Sequence, residues 1–135
     1  MEKKGLWSKT GKLKFFGLGS PESSIEDEKN AFSWSGKIGI NDDSKELAVI
    51  SLDKYFGDKI KPSFIKMDIE GAEIEALKGA KNIILNNKPK LAICAYHKSE
   101  DLWQVPNLMK KLNPDYKIFM RHYSRELCET VCYAI

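Results

Sequence analysis

Short apolar runs of strand length recur along the chain from residue 47 onward. Three of them, at residues 47–50, 63–69 and 90–97, are rich in the aliphatic side chains that favour strands. The run at 63–69 includes Phe64 and Ile65 and is nearly apolar, which is typical of a strand covered on both faces. These runs predict the strands of a sheet.

Apolar residues at helical spacing separate these strands. After the second strand, they recur on one face of a helix that begins at about Ala72. They are Ile74, Leu77, Ala80 and Ile84. Gly79 interrupts the pattern, so it either kinks this helix or caps its first part. A second helical segment begins at residues 101–104, with Pro106 in the first turn of its main part.

The order of the elements predicts the fold class. Two final apolar runs, at residues 116–120 and 129–135, share a short polar connection, which favours an antiparallel pair. The chain therefore alternates strands and helices and closes with two strands. This order predicts an α/β protein with a mostly parallel sheet and a C-terminal antiparallel strand pair.

The first third of the chain has a weaker pattern. Residues 6–18 indicate a hairpin or a strand entering a turn, and residues 19–46 are rich in Gly, Ser, Asp, Glu and Asn. A long irregular stretch of this kind is typical of a binding loop or a lid. A length of 135 residues is that of a single domain. We divide it into a hairpin and irregular loop at 1–46 and a β/α core at 47–135.

Composition and charge indicate which kinds of partner and which cellular compartment to expect. The net charge of +3 comes from 22 basic and 19 acidic residues without a dominant basic block, so no nucleic-acid partner is predicted. No apolar run reaches the ~18 residues expected of a membrane span. The three cysteines, Cys94, Cys128 and Cys132, do not have the spacing of a disulfide framework. A reducing, cytoplasmic setting is the simplest prediction.

Three carboxylates lie within six residues at the end of the second predicted strand. Asp68 and Glu70 are two residues apart, so they project to the same side of an extended chain. Gly71 permits close approach, and Glu73 falls in the first helical turn. Ligands bind beyond the carboxyl ends of strands in such sheets, which predicts a site at residues 68–73 and at His97. The alternative is that Glu70 and Glu73 are solvated and that Asp68 alone faces a cleft.

The sequence pattern predicts no metal site. His97, His122, Cys128 and Cys132 are residue types that bind zinc, but the Cys-x₃-Cys spacing on a strand does not match common zinc sites. His122 is predicted to lie on the surface. A divalent-metal enzyme that uses Asp68 with Glu70 is a weaker alternative.

Two tryptophans carry different expectations. Trp103 lies in a helical segment and is predicted to be buried in the core. Trp34 lies in the polar loop, where an aromatic ring is available to stack on a ligand. Trp34 is therefore the better candidate for contact with a substrate.

The most specific sequence signal lies in residues 66–80. Residues 66–73 read KMDIEGAE, and ALKGA follows at 76–80. Together they resemble the signature of FkbM-type methyltransferases, in which KxDxEGxE precedes LKGA. The resemblance extends in register to LWSKTGKLKF at 6–15, SLD at 51–53, KPKL at 88–91 and YH at 96–97.

This resemblance implies a Rossmann-like methyltransferase fold. It also implies S-adenosylmethionine (SAM) as methyl donor and O-methylation of a hydroxyl on a sugar or small metabolite. By position, it assigns catalytic roles to Asp68, Glu70 and His97, because carboxylates and imidazoles can take or orient a hydroxyl proton. A structural role for His97 is an equally good interpretation of the sequence.

The remaining assignments concern ligand contacts. By position, the resemblance places Ser8 near the adenine of SAM and Asp68 beside the methyl group that is transferred. Glu73 and Trp34 are the expected contacts with the acceptor.

The resemblance covers the C-terminal portion of the family's domain. The glycine-rich loop that follows the family's first strand has no counterpart in this sequence, so we expect a sheet truncated at its N-terminal side. Methyl transfer by such a sheet is expected to need an N-terminal half, and a second copy of the chain is the other expected partner. The alternative is a non-catalytic half-domain that serves as a binding or assembly module.

Overall fold

The computed structural model describes residues 4–16, 24–25, 45–57, 59–126 and 128–135. Its elements in chain order are β1 (Gly5–Leu6), β2 (Gly11–Phe16), β3 (Ser24–Ile25), β4 (Lys45–Ile50), α1 (Leu52–Phe56), β5 (Phe64–Met67), α2 (Glu73–Lys78), α3 (Lys81–Asn87), β6 (Lys90–Cys94), α4 (Asp101–Leu112), β7 (Ile118–His122) and β8 (Thr130–Ala134). The α/β class is confirmed.

The strands form two four-stranded mixed sheets, in the orders β1-β4-β2-β3 and β5-β6-β8-β7. Only β1 with β4 and β5 with β6 are parallel, whereas the other four pairings of the described residues are antiparallel. The predicted mostly parallel sheet is therefore not confirmed. The C-terminal antiparallel pair is confirmed as β7 and β8, whose short connection permits no crossover.

Within residues 6–16 the chain is a strand that enters a turn, because β1 and β2 each pair with β4. Gly5 of β1 and Gly11 of β2 both lie opposite Val49, because β4 runs between these two strands. The chain therefore passes from one side of β4 to the other through residues 7–10. At this turn Trp7 is buried, and its backbone N–H donates to the Ile50 carbonyl at 3.2 Å.

The main core lies between the second sheet and its helices. Ile65 and Met67 of β5 pack with Leu77 of α2 and Ile84 of α3. The prediction that both faces of this strand are covered is wrong for Phe64, which is 55% exposed. Successive side chains on a strand face opposite ways, and in the described structure the helices cover the Ile65 side.

The predicted long helix is two short helices that meet at Gly79. Gly79 is the C-cap of α2, and its N–H donates to the Glu75 carbonyl at 3.0 Å. The backbone N–H groups that open α3 bond to the side chain of Asp53 in α1, whose two oxygens accept from Asn82 and Ile83 at 3.0 Å each. Asp53 thus caps α3 from another element, which local sequence patterns do not reveal.

Helix α4 is continuous through Pro106. Its buried side carries Val105 and Met109, four residues apart, whereas Trp103 lies on the other side and is 55% exposed. The prediction of a buried Trp103 is therefore wrong, because the helix has one apolar stripe and Trp103 lies outside it. Within the ranges given above, no helix is long and apolar enough to cross a membrane.

Replacing Asp53 with alanine is expected to lower the free energy of unfolding by about 1–2 kcal/mol, the usual cost of losing an N-cap side chain. The backbone N–H groups of Asn82 and Ile83, in the first turn of α3, would lose their acceptors. Urea unfolding followed by circular dichroism measures the change. Lys54→Ala, an exposed replacement on the same helix, is the control and should change stability by less than about 0.5 kcal/mol. Equal losses in both variants would contradict a capping role.

Candidate functional site

The site forms where two neighbouring parallel strands end. β5 ends at Met67 and is followed by Asp68, and β6 ends at Cys94 and is followed by Tyr96 and His97. Because the carboxyl ends of parallel strands meet at one edge of a sheet, side chains 29 residues apart come together there (97 − 68). The structure thus brings together Asp68, Glu70, Glu73 and His97.

The turn between β5 and α2 has an unusual backbone. Glu70 has φ +55° and Gly71 has φ +88°. Positive φ is costly for a residue with a side chain, and such conformations concentrate at functional sites. A Cβ on Gly71 would also lie 3.1 Å from the side-chain Cε of Lys98. The turn directs the Glu70 carboxylate toward His97 while it reverses the chain into α2.

His97 lies between carboxylates on both sides of its ring. Its Nε2 is 3.5 Å from Asp68 Oδ1 and 3.5 Å from Glu70 Oε2, and its Nδ1 is 3.1 Å from Glu73 Oε1. Neither ring nitrogen is aligned as in a hydrogen bond. These contacts are therefore short electrostatic approaches.

Glu73 is buried behind His97. Its Oε1 accepts a hydrogen bond from the backbone N–H of Ile69 at 2.8 Å, whereas its Oε2 has no hydrogen-bond partner. The predicted contact of Glu73 with an acceptor stays a prediction, since the side chain contacts His97 and the backbone here. Asp68 and Glu70, by contrast, are 38% and 48% exposed.

The carboxylates change the proton affinity of the imidazole. Burial opposes the charged form of His97, but Glu73, Glu70 and Asp68 together outweigh it, so the pKa of His97 is raised above its ordinary 6.5. Asp101 lies beyond this group and is buried. Burial raises the pKa of Asp101 to about 6, although its carboxylate accepts a hydrogen bond from the Lys98 N–H at 3.0 Å.

Two further side chains border the carboxylates. The Tyr96 hydroxyl donates to Asp68 Oδ1 at 3.3 Å, and burial together with the Asp68 charge raises the pKa of Tyr96. Burial likewise raises the pKa of the Cys94 thiol to about 12. At neutral pH both groups are therefore protonated, and Cys94 is not an activated nucleophile.

The other predicted site residues have different positions. Ser8 lies beside the end of α2, where its side chain, together with Lys78, lowers the pKa of the Glu75 carboxylate against the effect of burial. Its contact with the adenine of SAM stays a prediction. Trp34 lies outside the described residues. His122 is exposed on β7, as predicted, and its Nδ1 is 2.8 Å from the Thr130 hydroxyl.

The sequence interpretation missed the buried Asp101. Its one signal is position, four residues after His97 and at the start of α4. Asp101→Asn should gain stability relative to the unaltered chain as pH rises from 4 to 7. The folded pKa of about 6 exceeds the ordinary 3.8, so the stability linked to this group is present below pH 3.8 and is lost as pH rises through about 6.

Urea unfolding at several pH values, with a chelator present, measures this difference. Asp115→Asn is the control with the opposite sign. Lys88 lies 2.6 Å from the exposed Asp115 carboxylate and lowers its pKa. The stability linked to Asp115 is therefore present above pH 3.8 and is lost as pH falls. A constant offset between Asp101→Asn and the unaltered chain across this range would contradict the assignment.

Comparison with known proteins places this strand-end site in a family. A profile of the Methyltransferase FkbM domain matches residues 6–127. The chain belongs to the FkbM methyltransferase family. A solved FkbM methyltransferase from Methylobacillus flagellatus KT is similar to this FkbM chain, with 44% identity and a TM-score of 0.62. No match was found among curated proteins.

The match to the Methylobacillus protein covers 67% of this FkbM chain but only 24% of the solved chain. This FkbM chain therefore spans about a quarter of that relative's length. The signature residues of the FkbM resemblance, Asp68, Glu70 and Glu73, are those that surround His97.

Proposed function

We propose that this FkbM chain takes part in SAM-dependent methyl transfer to a hydroxyl of a sugar or small metabolite. One observation carries the proposal: His97 Nε2 is 3.5 Å from an oxygen of both Asp68 and Glu70, at the edge where α/β sheets bind ligands. The two carboxylates are partly exposed, so a ligand can reach them.

The described residues fit one part of SAM. SAM carries a cationic sulfonium and an amino group, and a cluster of carboxylates favours a cation nearby. Asp68 would lie near the sulfonium and Ser8 near the adenine. When bound, SAM supplies an electrophilic methyl group. The described residues include no glycine-rich strand-to-helix turn, so another polypeptide segment would complete the cofactor site.

The charged cluster suits the handling of a hydroxyl proton. An acceptor oxygen that gains a methyl group must lose its proton, and His97 Nε2 with Asp68 and Glu70 offers proton acceptors in one place. Glu73 approaches the other ring nitrogen from the buried side and holds the ring in position. We therefore propose Glu73 as a positioning residue. The raised pKa of His97 makes its neutral form a stronger base.

The rival proposal is a non-catalytic half-domain that binds or assembles with another protein. It is favoured by the described residues, which include no glycine-rich strand-to-helix turn for the cofactor. In either case the three cysteines are free thiols, which supports a cytoplasmic setting.

Titration calorimetry with SAM, followed by transfer assays with SAM labelled on its methyl group, tests the proposal. The chain is assayed alone and with a segment that supplies the N-terminal part of an FkbM domain, against a panel of hydroxylated sugars and metabolites. We expect SAM binding and label transfer in the mixture. Absence of SAM binding in a mixture shown to associate would leave only the assembly module.

A further inference from the structure

Two side chains of the site hold polar atoms that are buried and unpartnered. The side chain of Glu73 is 1% exposed and that of His97 is 10% exposed. Glu73 Oε2 and both ring nitrogens of His97 have no hydrogen-bond partner. A buried polar group without a partner is unfavourable, and most buried polar groups in proteins have a hydrogen-bond partner.

The spacing of these atoms suits coordination of one ion. Asp68, Glu73 and His97 each offer a ligand atom, and the three atoms lie within 4.8 Å of one another. Glu73 Oε1 and His97 Nδ1 are 3.1 Å apart. Two ligand atoms at that separation, on bonds of about 2.1 Å, subtend roughly 95° at an ion, close to octahedral geometry.

Protonation of His97 compensates the carboxylates only in part. An imidazolium would need acceptors aligned with its two N–H groups, and neither ring nitrogen of His97 is so aligned. A neutral ring has one N–H and one lone pair, so it would place that lone pair against a carboxylate on one side of the ring. A cation shared by the three side chains removes both difficulties.

We propose that Asp68, Glu73 and His97 bind a divalent cation. One imidazole with two carboxylates suits Mn²⁺ or Zn²⁺ better than an all-oxygen ion such as Ca²⁺. The ligand atoms are at most 4.8 Å apart, and opposite ligands on bonds of about 2.1 Å are about 4.2 Å apart, so binding requires a shift of at most about 0.6 Å. Asp68 can make this shift, because its side chain is partly exposed.

Neighbouring groups hold two of the ligands in place. The Ile69 N–H donates to Glu73 Oε1 at 2.8 Å and so fixes the position of that carboxylate, and the Tyr96 hydroxyl donates to Asp68 Oδ1. Lys66, 3.7 Å from Asp68 Oδ2, is largely exposed and competes only weakly for that carboxylate. An ion bound here would engage Asp68 and His97 and leave Glu70 as the carboxylate of the cluster that can still accept a hydroxyl proton.

Mn²⁺ titration of the full chain, followed by electron paramagnetic resonance, tests the site without SAM or an acceptor. We expect one saturable Mn²⁺ site per chain that Zn²⁺ displaces. His97→Asn and Asp68→Asn should each weaken binding at least tenfold, as should Glu73→Gln. Because Glu73 is buried, circular dichroism is used to check that each variant is folded. If Glu73→Gln unfolds, Asp68→Asn still tests the site, because Asp68 is exposed and its replacement should not unfold the chain.

The matched controls are His122→Asn and Glu75→Gln, which remove the same side-chain types outside the cluster and should leave binding unchanged. No saturable binding of Mn²⁺ or Zn²⁺ at millimolar concentrations would overturn the proposal. Binding that is as tight in folded His97→Asn as in the unaltered chain would also overturn it. Because the readout is ion binding, the outcome is independent of whether the chain transfers methyl groups.

Discussion

Gly79→Ala should destabilise the chain by about 3 kcal/mol or more, at the upper end of the cost of overpacking. A Cβ on Gly79 would lie 2.1 Å from the backbone carbonyl oxygen of Trp7 and 3.1 Å from both Ser8 Cα and Ser51 Cβ. The φ of −76° is ordinary, so the cost comes from this steric contact and not from the backbone conformation of the glycine.

The clash is severe because Gly79 lies where three segments cross. The Gly79 carbonyl accepts from the Asp53 N–H at 2.9 Å, so α1 and the end of α2 are tied at this point. Trp7 is buried against Val49 and Ala72. An added methyl group must therefore displace backbone, and the movement would disturb the packing of Trp7.

Thermal unfolding by calorimetry measures this effect, and we expect the midpoint to fall by roughly 10 °C or more. Gly11→Ala is the matched control, because no atom lies within 4 Å of a Cβ at this position. Its stability should stay within about 1 kcal/mol and can rise through the lower entropy of the unfolded chain. Similar midpoints for the two variants would show that Trp7 does not pack against Gly79 as described.

Asp68→Asn should reduce methyl transfer by about 10²- to 10⁴-fold, the range associated with loss of a positioned acid or base. The replacement keeps the shape of the side chain and removes its negative charge. That charge lies 3.5 Å from His97 Nε2 and faces the open side of the site. Stability should change little, because Asp68 is partly exposed.

Steady-state rates measure this effect in the mixture that shows label transfer. Asp115→Asn makes the same chemical change on a surface carboxylate that pairs with Lys88, outside the carboxylate cluster, and should leave the rate unchanged. A rate for Asp68→Asn within threefold of the unaltered chain would contradict the catalytic assignment of Asp68. A lower rate with a lowered unfolding midpoint would assign it a structural role.

Local sequence patterns predicted where helices begin and end better than they predicted which elements pack against each other. Ser51 is a residue type that commonly begins helices, and as the N-cap of α1 its hydroxyl accepts from the Lys54 N–H at 3.4 Å. Gly79 was expected to kink or cap a helix, and it caps α2. Both depend on contacts within four residues, which the order of the residues specifies directly.

Expectations that depended on distant neighbours were less accurate. Phe64 and Trp103 are apolar residues in apolar segments, yet both are about half exposed. Their burial depends on which other elements cover the face of the strand or helix that carries them. The apolar character of a single residue does not specify those elements. The pairing of β1 and β2 with the two sides of β4 depends likewise on a strand far along the chain.

The sequence by itself determined the family, because the residues of KMDIEGAE are contiguous and mark one strand-to-helix turn. It also determined the position of Asp68 and Glu70 on that turn. Only the tertiary structure decided that Glu73 is buried and that His97 lies among three carboxylates. Parallel pairing of β5 with β6 brings His97 next to these carboxylates. Because burying an unpaired charge is costly, the buried Glu73 needs a positive partner, which is either His97 or a bound cation.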